Sequence, residues 1–384
     1  MRFPEYQNSW ETLKLRDISE KVNEKNTNND LDLVFSNSAV QGIVLQNDYF
    51  EKSIANRNNL QGYYIVKPQD FVYNPRISAN AEVGAMNINN TFKTGLVSPL
   101  YTVFRIKSAK ITPQFLEIYF KSKHWHSHMR EIANYGARDD RMNIKNDDFY
   151  NMDLQVPQND EQIKIISFLS KIIFRIETQK KTIQNLESLM NGVRAKIFND
   201  NDLFLGNKKL QEIGTFFSGG TPLTSNKNYY EGTIPFIKSG EINSQSTEQF
   251  ISLEGLKNSS AKLVEKGDVL IALYGATSGE VGVSKISGAI NQAILCIRTE
   301  YNPVFIVNYL KFKKEEILKT FLQGGQGNLS ADIIKSISIP IPEGEKQKLI
   351  VQLFSNLEKK LEIETQILGK LNLQKKFFLQ NLFV

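Results

Sequence analysis

Four loops in the second half of the chain combine glycine with small polar side chains, and this composition suits close contact with a nucleic acid. Exposed backbone amides and short polar side chains can approach phosphates and base edges. The alternative is that the glycines only make turns, which is the simpler interpretation for any single loop. The candidate contact residues in these loops are Ser218, Gly219, Gly220, Thr221, Lys238, Ser239, Tyr274, Thr277, Gln326 and Asn328.

The first half offers arginine, asparagine and lysine side chains in similar polar segments. A guanidinium can donate two hydrogen bonds to guanine, and an asparagine amide can pair with adenine in the same way. Each could equally form a surface salt bridge, since Arg138 and Arg141 have Asp139 and Asp140 beside them; we favour Arg138 as a guanine reader. The candidates are Ser36, Asn37, Ser38, Tyr73, Asn74, Arg76, Lys93, Thr94, Arg138 and Arg141.

Catalytic motifs are missing from the sequence. It contains neither a Gly-x-x-x-x-Gly-Lys-Ser/Thr loop for ATP nor a Gly-x-Ser-x-Gly nucleophile elbow. Residues 74–77 (Asn-Pro-Arg-Ile) depart from the Asn-Pro-Pro-aromatic box with which amino-methyltransferases hold a flipped base. His124 and His128 could share a helix face, but no metalloprotease Glu or nearby Cys accompanies them. We therefore expect no catalytic residue, metal site or cofactor in this chain.

Composition favours a soluble cytoplasmic protein without a membrane partner. The 384 residues suffice for two or three domains, and the single Cys296 excludes an internal disulfide framework. The N-terminus lacks the apolar stretch of a signal peptide, and no window holds about 18 uncharged apolar residues. A net charge of +6 permits a polyanionic partner without requiring one.

The chain contains an internal repeat. Residues 156–162 (Val-Pro-Gln-Asn-Asp-Glu-Gln) recur as residues 341–347 (Ile-Pro-Glu-Gly-Glu-Lys-Gln), and this offset of 185 continues without a gap to Phe198 and Phe383. Residues 15–18 match residues 210–213, and residues 70–72 match residues 268–270. Between these anchors the halves diverge. Neutral drift after duplication would explain the similarity, but not its restriction to certain elements; one frame with two sets of loops would explain both.

Two long helices follow from the repeat. Their apolar residues alternate spacings of four and three, which is the heptad seam of a coiled coil. Each should span about 38 residues, roughly 57 Å, and pairing with each other in antiparallel orientation would cover both seams without crowding the modules. Gln179 and Glu364 interrupt the seams at matching positions, where polar groups can fix register. The predicted seam residues are Ile165, Leu169, Ile172, Ile176, Ile183, Leu186, Ile350, Phe354, Leu357, Leu361, Leu368 and Leu371. The alternative is two core helices of a larger domain.

The remaining segments are expected to mix strands and helices. Strands are predicted at residues 62–66, 101–106 and 293–298, and helices at residues 113–122 and 303–311, which both open with Pro after a polar residue. The expected class is α+β, with two pseudo-symmetric α/β modules separated by two long helices that form an antiparallel coiled coil. The predicted domains are residues 1–155, 156–200, 201–340 and 341–384, in which modules and helices alternate.

In their order along the chain, the motifs resemble the specificity subunit of type I restriction-modification systems. The resemblance rests on residues 10–15 (Trp-Glu-Thr-Leu-Lys-Leu), 217–222 (Phe-Ser-Gly-Gly-Thr-Pro), 266–270 (Lys-Gly-Asp-Val-Leu), 327–330 (Gly-Asn-Leu-Ser) and 339–342 (Ile-Pro-Ile-Pro). The first module departs at the Gly-Thr-Pro loop, where residues 22–26 (Val-Asn-Glu-Lys-Asn) stand instead.

The resemblance implies a non-catalytic DNA sequence-specificity subunit with two target recognition domains, each reading half of an asymmetric bipartite site on double-stranded DNA. The long helices would space these domains and dock two methyltransferase subunits, and restriction subunits would join the full complex. S-adenosylmethionine, ATP and Mg would be bound by the partners. The assembled complex would be an adenine-N6 DNA methyltransferase and an ATP-dependent type I site-specific deoxyribonuclease. The alternatives are a duplicated protein-interaction scaffold without DNA specificity, and an orphan nuclease or methyltransferase.

The charge distribution predicts that the isolated chain binds DNA weakly. Residues 161–200 and 343–384 carry +3 and +2 of the total charge of +6, which leaves +1 for the two modules. Few phosphates can then be neutralised, so we expect a dissociation constant of about 10⁻⁶ M or weaker at physiological salt. Fluorescence anisotropy with a labelled duplex over a salt series measures this. Tight, sequence-specific binding by the chain alone would contradict the prediction.

Overall fold

The computed structural model describes residues 2–49, 60–135, 140–322 and 329–383. The chain divides into two compact units, of which the first comprises residues 1–178 and 368–384 and the second comprises residues 179–367. Each unit therefore contains one module and parts of both long helices. The candidate contact residues Arg138, Gln326 and Asn328 lie outside the described residues.

The first unit is built around a four-stranded antiparallel sheet with the strand order Ser19–Lys21, Thr102–Ile106, Phe71–Asn74 and Ala85–Ile88. Antiparallel pairs join Glu11–Lys14 to Asp153–Val156, Phe35–Ser38 to Gly42–Leu45, Tyr64–Val66 to Gly95–Val97, and Asn134–Tyr135 to Met142–Asn143. The short helices are Leu15–Ile18, Gln46–Tyr49, Pro113–Lys121, His126–Ile132 and Asn146–Tyr150.

Successive side chains along the strands point to opposite faces of the sheet, so this unit has two separate hydrophobic cores. Phe71 and Tyr73 point into the larger core, whereas Val72 between them joins a smaller cluster on the opposite face. Helix Pro113–Lys121 covers the larger core. It begins where expected, because Pro113 occupies its first turn and Thr112 Oγ1 accepts a hydrogen bond from the Phe115 amide at 3.3 Å.

The second unit repeats the four-stranded antiparallel sheet of the first unit, which we call the frame, and adds a second four-stranded sheet. Its antiparallel sheet has the strand order Thr215–Ser218, Ile294–Arg298, Val269–Ala272 and Val281–Val283. The second sheet, in which one pair of strands is parallel, has the order Phe250–Ile251, Ile234–Ile237, Gly288–Ile290 and Lys262–Val264. Phe204–Lys209 pairs with Ser338–Pro342. The α-helices are Leu253–Lys257, Pro303–Leu322 and Ala331–Ser336; the 3-10 turns are Asn201–Leu203, Leu210–Glu212, Lys227–Tyr230 and Ser239–Glu241. The helix predicted at residues 303–311 thus continues to Leu322.

An equivalent ion pair fixes the four-stranded antiparallel sheet of each unit, and we call it the Asp–Arg clamp. In the first unit, Arg105 donates from Nε to Asp70 Oδ1 at 2.7 Å and from Nη2 to Oδ2 at 2.9 Å. In the second unit, Arg298 makes the same bonds to Asp268 at 3.1 and 2.6 Å. Each clamp joins the start of one strand to the end of its neighbour, so it holds the sheet at one end.

The turn before each clamp aspartate is also the same. The Lys67 amide donates to Asp70 Oδ2 at 2.8 Å, and the Glu265 amide donates to Asp268 Oδ2 at 2.8 Å. The residue before each aspartate has positive φ, with Gln69 at 70° and Gly267 at 105°. The aspartate therefore closes its own turn while it binds the neighbouring strand.

The two long helices, Asn159–Phe198 and Gly344–Asn381, contain 40 and 38 residues. Within the second unit they are antiparallel, because Gln179 contacts Glu364 whereas Phe198 contacts Phe354. Within the first unit Phe168 packs edge-on against Phe378 at 4.7 Å. The expected antiparallel pair is confirmed, and all twelve predicted seam residues are buried or half-buried.

The polar positions in the two seams meet each other. Gln179 Nε2 donates to Glu364 Oε2 at 2.6 Å and to the Glu364 carbonyl oxygen at 3.0 Å. Hydrogen bonds from Gln179 and then from Lys360 lower the pKa of Glu364. The carboxylate is therefore kept charged and partnered within the helix pair.

The predicted domain boundaries remain a prediction. The boundary after residue 340 falls inside strand Ser338–Pro342, which pairs with Phe204–Lys209 at the start of the second module.

In the part of the chain that the structure describes, no helix has the length and apolar composition needed to cross a membrane.

We predict that Asp268→Ala destabilises the second unit much more than Glu265→Gln, although both carboxylates lie near Arg298. Glu265 is exposed and 3.5 Å from the guanidinium, and such pairs contribute about 0 to 1 kcal/mol. Asp268 is only 8% exposed. Its removal leaves the Glu265 amide and Arg298 without their acceptor, at a cost of about 2 to 3 kcal/mol. Hydrogen exchange in strands Val269–Ala272 and Ile294–Arg298 measures both variants; equal loss of protection would contradict the prediction.

Acidification of the unmodified protein tests the same clamp. Burial raises the pKa of Asp268, but hydrogen bonds from Arg298 and the Glu265 amide outweigh it, so the net shift is downward. A carboxyl with a lowered folded pKa stabilises the protein above its unfolded value of about 4 and loses that contribution as the pH falls through the folded value. Protection of these strands should therefore decline below about pH 4, and Asp268→Ala should lack this part of the decline.

Candidate nucleic-acid interface

The four-stranded antiparallel sheet of each unit has an end opposite its Asp–Arg clamp, which we call the loop end. In the first unit, strand Phe71–Asn74 finishes there and strand Thr102–Ile106 begins there. In the second unit, Val269–Ala272 finishes and Ile294–Arg298 begins at the same end. The connecting segments therefore leave each frame at one edge, where their side chains can act together.

Arg76 and Arg141 lie opposite each other at the loop end of the first unit. An isolated antiparallel bridge pairs them, with the Ile77 amide donating to the Asp140 carbonyl at 2.9 Å and the Met142 amide donating to the Pro75 carbonyl at 3.0 Å. The Arg76 side chain is 65% exposed. Two guanidinium groups on one short bridge could bind phosphates or guanine edges.

Asp140 balances the two arginines. Its Oδ2 lies 3.5 Å from Arg76 Nε and 4.0 Å from Arg141 Nε, so both contacts are loose and water-exposed. Burial raises the pKa of the neighbouring Tyr101, and the positive charges of Arg141 and Arg76 partly oppose that shift. The site thus combines one half-buried phenol with two cations that a polyanion could draw away from Asp140.

Several residues predicted to contact DNA are instead internal to the first unit. Ser36, Asn37, Ser38 and Tyr73 are buried. Asn37 Nδ2 donates to the carbonyls of Val72 at 2.7 Å and Ala85 at 3.1 Å, and its Oδ1 accepts from Asn87 Nδ2. The Tyr73 hydroxyl donates to the Val83 carbonyl at 2.8 Å. Burial argues against DNA contacts at these four positions, and Asn37 and Tyr73 instead hydrogen-bond to backbone groups inside the module.

Asn74 and the Lys93 loop also differ from expectation. Asn74 donates from Nδ2 to the Asn37 carbonyl at 3.2 Å and accepts the Arg76 amide at 3.1 Å, so it shapes the backbone at Arg76. Lys93 and Thr94 follow strand Ala85–Ile88, whose last residue pairs with Phe71 next to the clamp. They therefore leave the frame at the clamp end and do not join Arg76 and Arg141.

The predicted loops of the second unit converge more closely. Ser218 ends strand Thr215–Ser218 and residues 219–222 follow it, while Tyr274 and Thr277 follow Val269–Ala272, so both segments leave the loop end. Strand Ile234–Ile237 runs parallel to Gly288–Ile290, and Lys238 and Ser239 follow it at the edge where Asn291 also emerges. The exposed cation of Lys238 is thereby placed beside the same group of loops.

Glycine has a packing role in the first of these loops. A Cβ on Gly219 would lie 1.7 Å from the Ile290 carbonyl oxygen, and one on Gly220 would lie 2.6 Å from Ser260 Cβ. No side chain fits at these distances. These two glycines therefore allow close packing against Ile290 and Ser260, a role that differs from both a turn and a contact with nucleic acid, and Thr221 follows them at the surface.

Sequence reasoning missed Gln292, which lies between these loops. The exposed Gln292 side chain accepts a hydrogen bond through Oε1 from Thr221 Oγ1 at 2.8 Å. Burial raises the pKa of Tyr274, and a hydrogen bond with Gln292 opposes that shift. The sequence did contain a signal for this residue, because a polar side chain directly before the predicted strand at residues 293–298 is expected at the end of a sheet. The search for glycine-rich polar loops missed it, because the segment around Gln292 contains no glycine pair.

His124 and His128 each contact a backbone carbonyl within the first unit. His124 Nε2 lies 3.2 Å from the Gln380 carbonyl, and His128 Nε2 lies 3.1 Å from the Asp148 carbonyl. Helix His126–Ile132 begins after His124, so the two rings do not share a helix face. Among the described residues, no group of three His, Cys, Asp or Glu side chains could hold a metal ion.

Part of the chain matches a known protein family. Residues 205–373 match the family described as the type I restriction modification DNA specificity domain. The similar curated proteins include the specificity subunit of the type I restriction enzyme EcoR124I/EcoR124II from Escherichia coli, 26% identical over 39% of this chain and 40% of that protein. The MjaIX specificity subunit of Methanocaldococcus jannaschii is 28% identical over 44% of this chain and 41% of that protein. The chain thus spans about 40% of the length of these relatives.

Solved structures match over nearly the whole chain. The S subunit of a type I restriction-modification system from M. genitalium has a TM-score of 0.58 and 16% identity, covering 100% of this chain and 99% of that chain. A chain from a study of complex assembly and conformational transition of the type I R-M system has a TM-score of 0.61 and 16% identity, with 97% of each chain covered. At this identity the structures establish a shared fold.

We predict that Gly219→Ala destabilises the second unit, whereas Gly240→Ala in a neighbouring loop does not. The methyl group at position 219 would overlap the Ile290 carbonyl, and a Cβ at position 240 would meet nothing within 4 Å. Overpacking of this kind costs about 1 to 3 kcal/mol, whereas an open surface site should change stability by less than about 0.5 kcal/mol. Urea denaturation of both variants measures the difference. Equal stability would show that residue 219 is not confined by its neighbours.

Proposed function

We propose that the chain is the DNA sequence-specificity subunit of a type I restriction-modification complex. The match of residues 205–373 to the type I restriction modification DNA specificity domain supports this proposal, and it agrees with the resemblance seen in the sequence motifs. Each unit would read one half of an asymmetric bipartite site on double-stranded DNA. One observation carries the proposal: the two units share a clamped four-stranded frame but display different polar side chains at its loop end.

The two loop ends offer different chemistry to DNA. The first unit presents the cations Arg76 and Arg141, which suit guanine edges and phosphates. The second presents the neutral side chains of Thr221 and Gln292 near the Lys238 cation. Two dissimilar reading surfaces on one frame are what an asymmetric target requires, and the loops can vary because the clamps lie at the other end.

We further propose that the chain itself is non-catalytic and cytoplasmic and that its partners carry the chemistry. Two methyltransferase subunits would bind S-adenosylmethionine, and restriction subunits would use ATP and Mg. The long helices would space the recognition domains and dock the methyltransferase subunits. Exposed apolar side chains on these helices support docking, since Phe174, Leu349 and Leu373 are each at least 67% exposed.

A duplicated protein-interaction scaffold is the alternative, and the same apolar side chains are compatible with it. The two functions differ in their dependence on DNA. A specificity subunit assembled with methyltransferase subunits should prefer one duplex sequence and bind more weakly as salt rises. A scaffold should show neither sequence preference nor a steep salt dependence.

Exchange of one module tests the proposal. Replacing residues 210–336 with the corresponding module of a related subunit should change one half-site and leave the other half-site unchanged. Base contacts are worth about 1 to 3 kcal/mol each and the loops that make them move with the module, so the new half-site should be that of the donor. Sequencing of methylated DNA from a host that carries the hybrid and its partner subunits gives the motif.

Replacement of residues 15–154 in a second hybrid is the matched control and should change only the other half-site. If both half-sites change in either hybrid, the modules do not read independently. If neither hybrid nor parent protein directs methylation to a defined sequence, the proposed function is wrong.

A further inference from the structure

Gln292 is held at the meeting point of three segments of the second unit. The carbonyl before it, on Asn291, accepts a hydrogen bond from the Gly219 amide at 3.2 Å. The carbonyl after it, on Ala293, accepts from the Leu273 amide at 2.8 Å. Asn291 Oδ1 also accepts the Ala293 amide at 3.0 Å, which closes a tight turn with Gln292 at its tip. The Gln292 backbone is therefore fixed from both sides while its side chain is exposed.

Thr221 orients the Gln292 carboxamide. Its hydroxyl donates to Gln292 Oε1 at 2.8 Å, and Gly219 and Gly220 fit so closely against Ile290 and Ser260 that the Thr221 backbone has little freedom. A carboxamide oxygen has two acceptor positions, so one remains after Thr221 is bound. The carboxamide nitrogen has two hydrogens, so one remains beside the hydrogen bond with Tyr274. Gln292 thus presents an acceptor next to a donor on one oriented group.

The Gln292 carboxamide has an acceptor beside a donor in one plane, and this hydrogen-bonding pattern is complementary to the major-groove edge of adenine. Adenine offers its N6 hydrogens and the N7 lone pair side by side, and glutamine can bind both at once. Guanine offers two acceptors there and would repel Oε1. Lys238 leaves the adjoining edge of the second sheet as an exposed cation, which suits a neighbouring phosphate.

We propose that Gln292 reads an adenine in the half-site of the second unit and that Thr221 acts as its positioning residue. The inference rests on the proposed function and deepens it, because it assigns one base of the target to one side chain. Thr221 needs no contact with DNA, since its hydroxyl acts by holding the carboxamide in one orientation.

The test uses the chain assembled with its methyltransferase subunits and randomised duplexes, with bound sequences read by sequencing. In the unmodified complex, one position of the second half-site should be adenine. Gln292→Ala should reduce discrimination at that position about tenfold to hundredfold and leave all other positions unchanged. Gln292→Glu, which keeps the shape but has only acceptors, should shift the preference there toward cytosine.

Variants of Thr221 separate positioning from contact. Thr221→Val keeps the side-chain shape without the hydroxyl and should weaken the adenine preference at the same position, while Thr221→Ser should restore it. Gln211→Ala is the matched control, because Gln211 is an exposed glutamine on the 3-10 turn Leu210–Glu212 at the clamp end. This variant should bind the unmodified motif.

The outcomes distinguish failure of the inference from failure of the proposed function. If the unmodified complex selects a motif and Gln292→Ala and Gln292→Glu select the same one, Gln292 does not read a base and only the inference is overturned. The same conclusion holds if the relaxed position is not adenine. If the unmodified complex selects no motif, the proposed function itself fails. Circular dichroism melting of the isosteric Gln292→Glu chain confirms that a changed preference does not come from unfolding.

Discussion

A buried carboxylate that must keep its guanidinium partner constrains each module. Asp70 and Asp268 are both almost fully buried, and each uses its two oxygens to bind one arginine on the neighbouring strand and one amide of its own turn. A carboxylate in such a place is costly unless all of these bonds are present. The clamp end of each sheet therefore needs both the aspartate and the arginine. The loop end contains no such buried ion pair among the described residues, and the side chains of the two modules differ there.

The sequence predicted the local features of this architecture and the pairing of the long helices, but it missed the pairing of side chains between strands. Heptad spacing and proline-led starts located both long helices, because those signals lie within a few residues of one another. Asp70 and Asp268 were matched as equivalent positions, yet their arginine partners lie 35 and 30 residues away along the chain. Which strands become neighbours depends on the packing of the whole module, so the clamp emerged only from the structure.

The candidate site was predicted unevenly for a related reason. A polar residue in a loop and one inside a strand look alike in sequence, but only the first is open to a ligand. Asn37 and Tyr73 satisfy backbone groups within the module, whereas Arg76 is exposed and gains its place from the backbone that Asn74 shapes. Gln292 has neither a charge nor a glycine-rich surrounding. Its importance follows from the bonds that hold its two neighbours.

The contact between Gln179 and Glu364 has a consequence for how such a chain can pair. The two residues are 185 positions apart, which is the period of the repeat, so each is the counterpart of the other. In an antiparallel pair of equivalent helices, counterparts meet only at the centre. Two copies of the first helix would place two neutral amides there and could hydrogen-bond. Two copies of the second would place two carboxylates face to face and repel. One carboxylate at the centre of the helix pair thus favours mixed pairing over self-association of the second helix, so the two equivalent helices are not interchangeable.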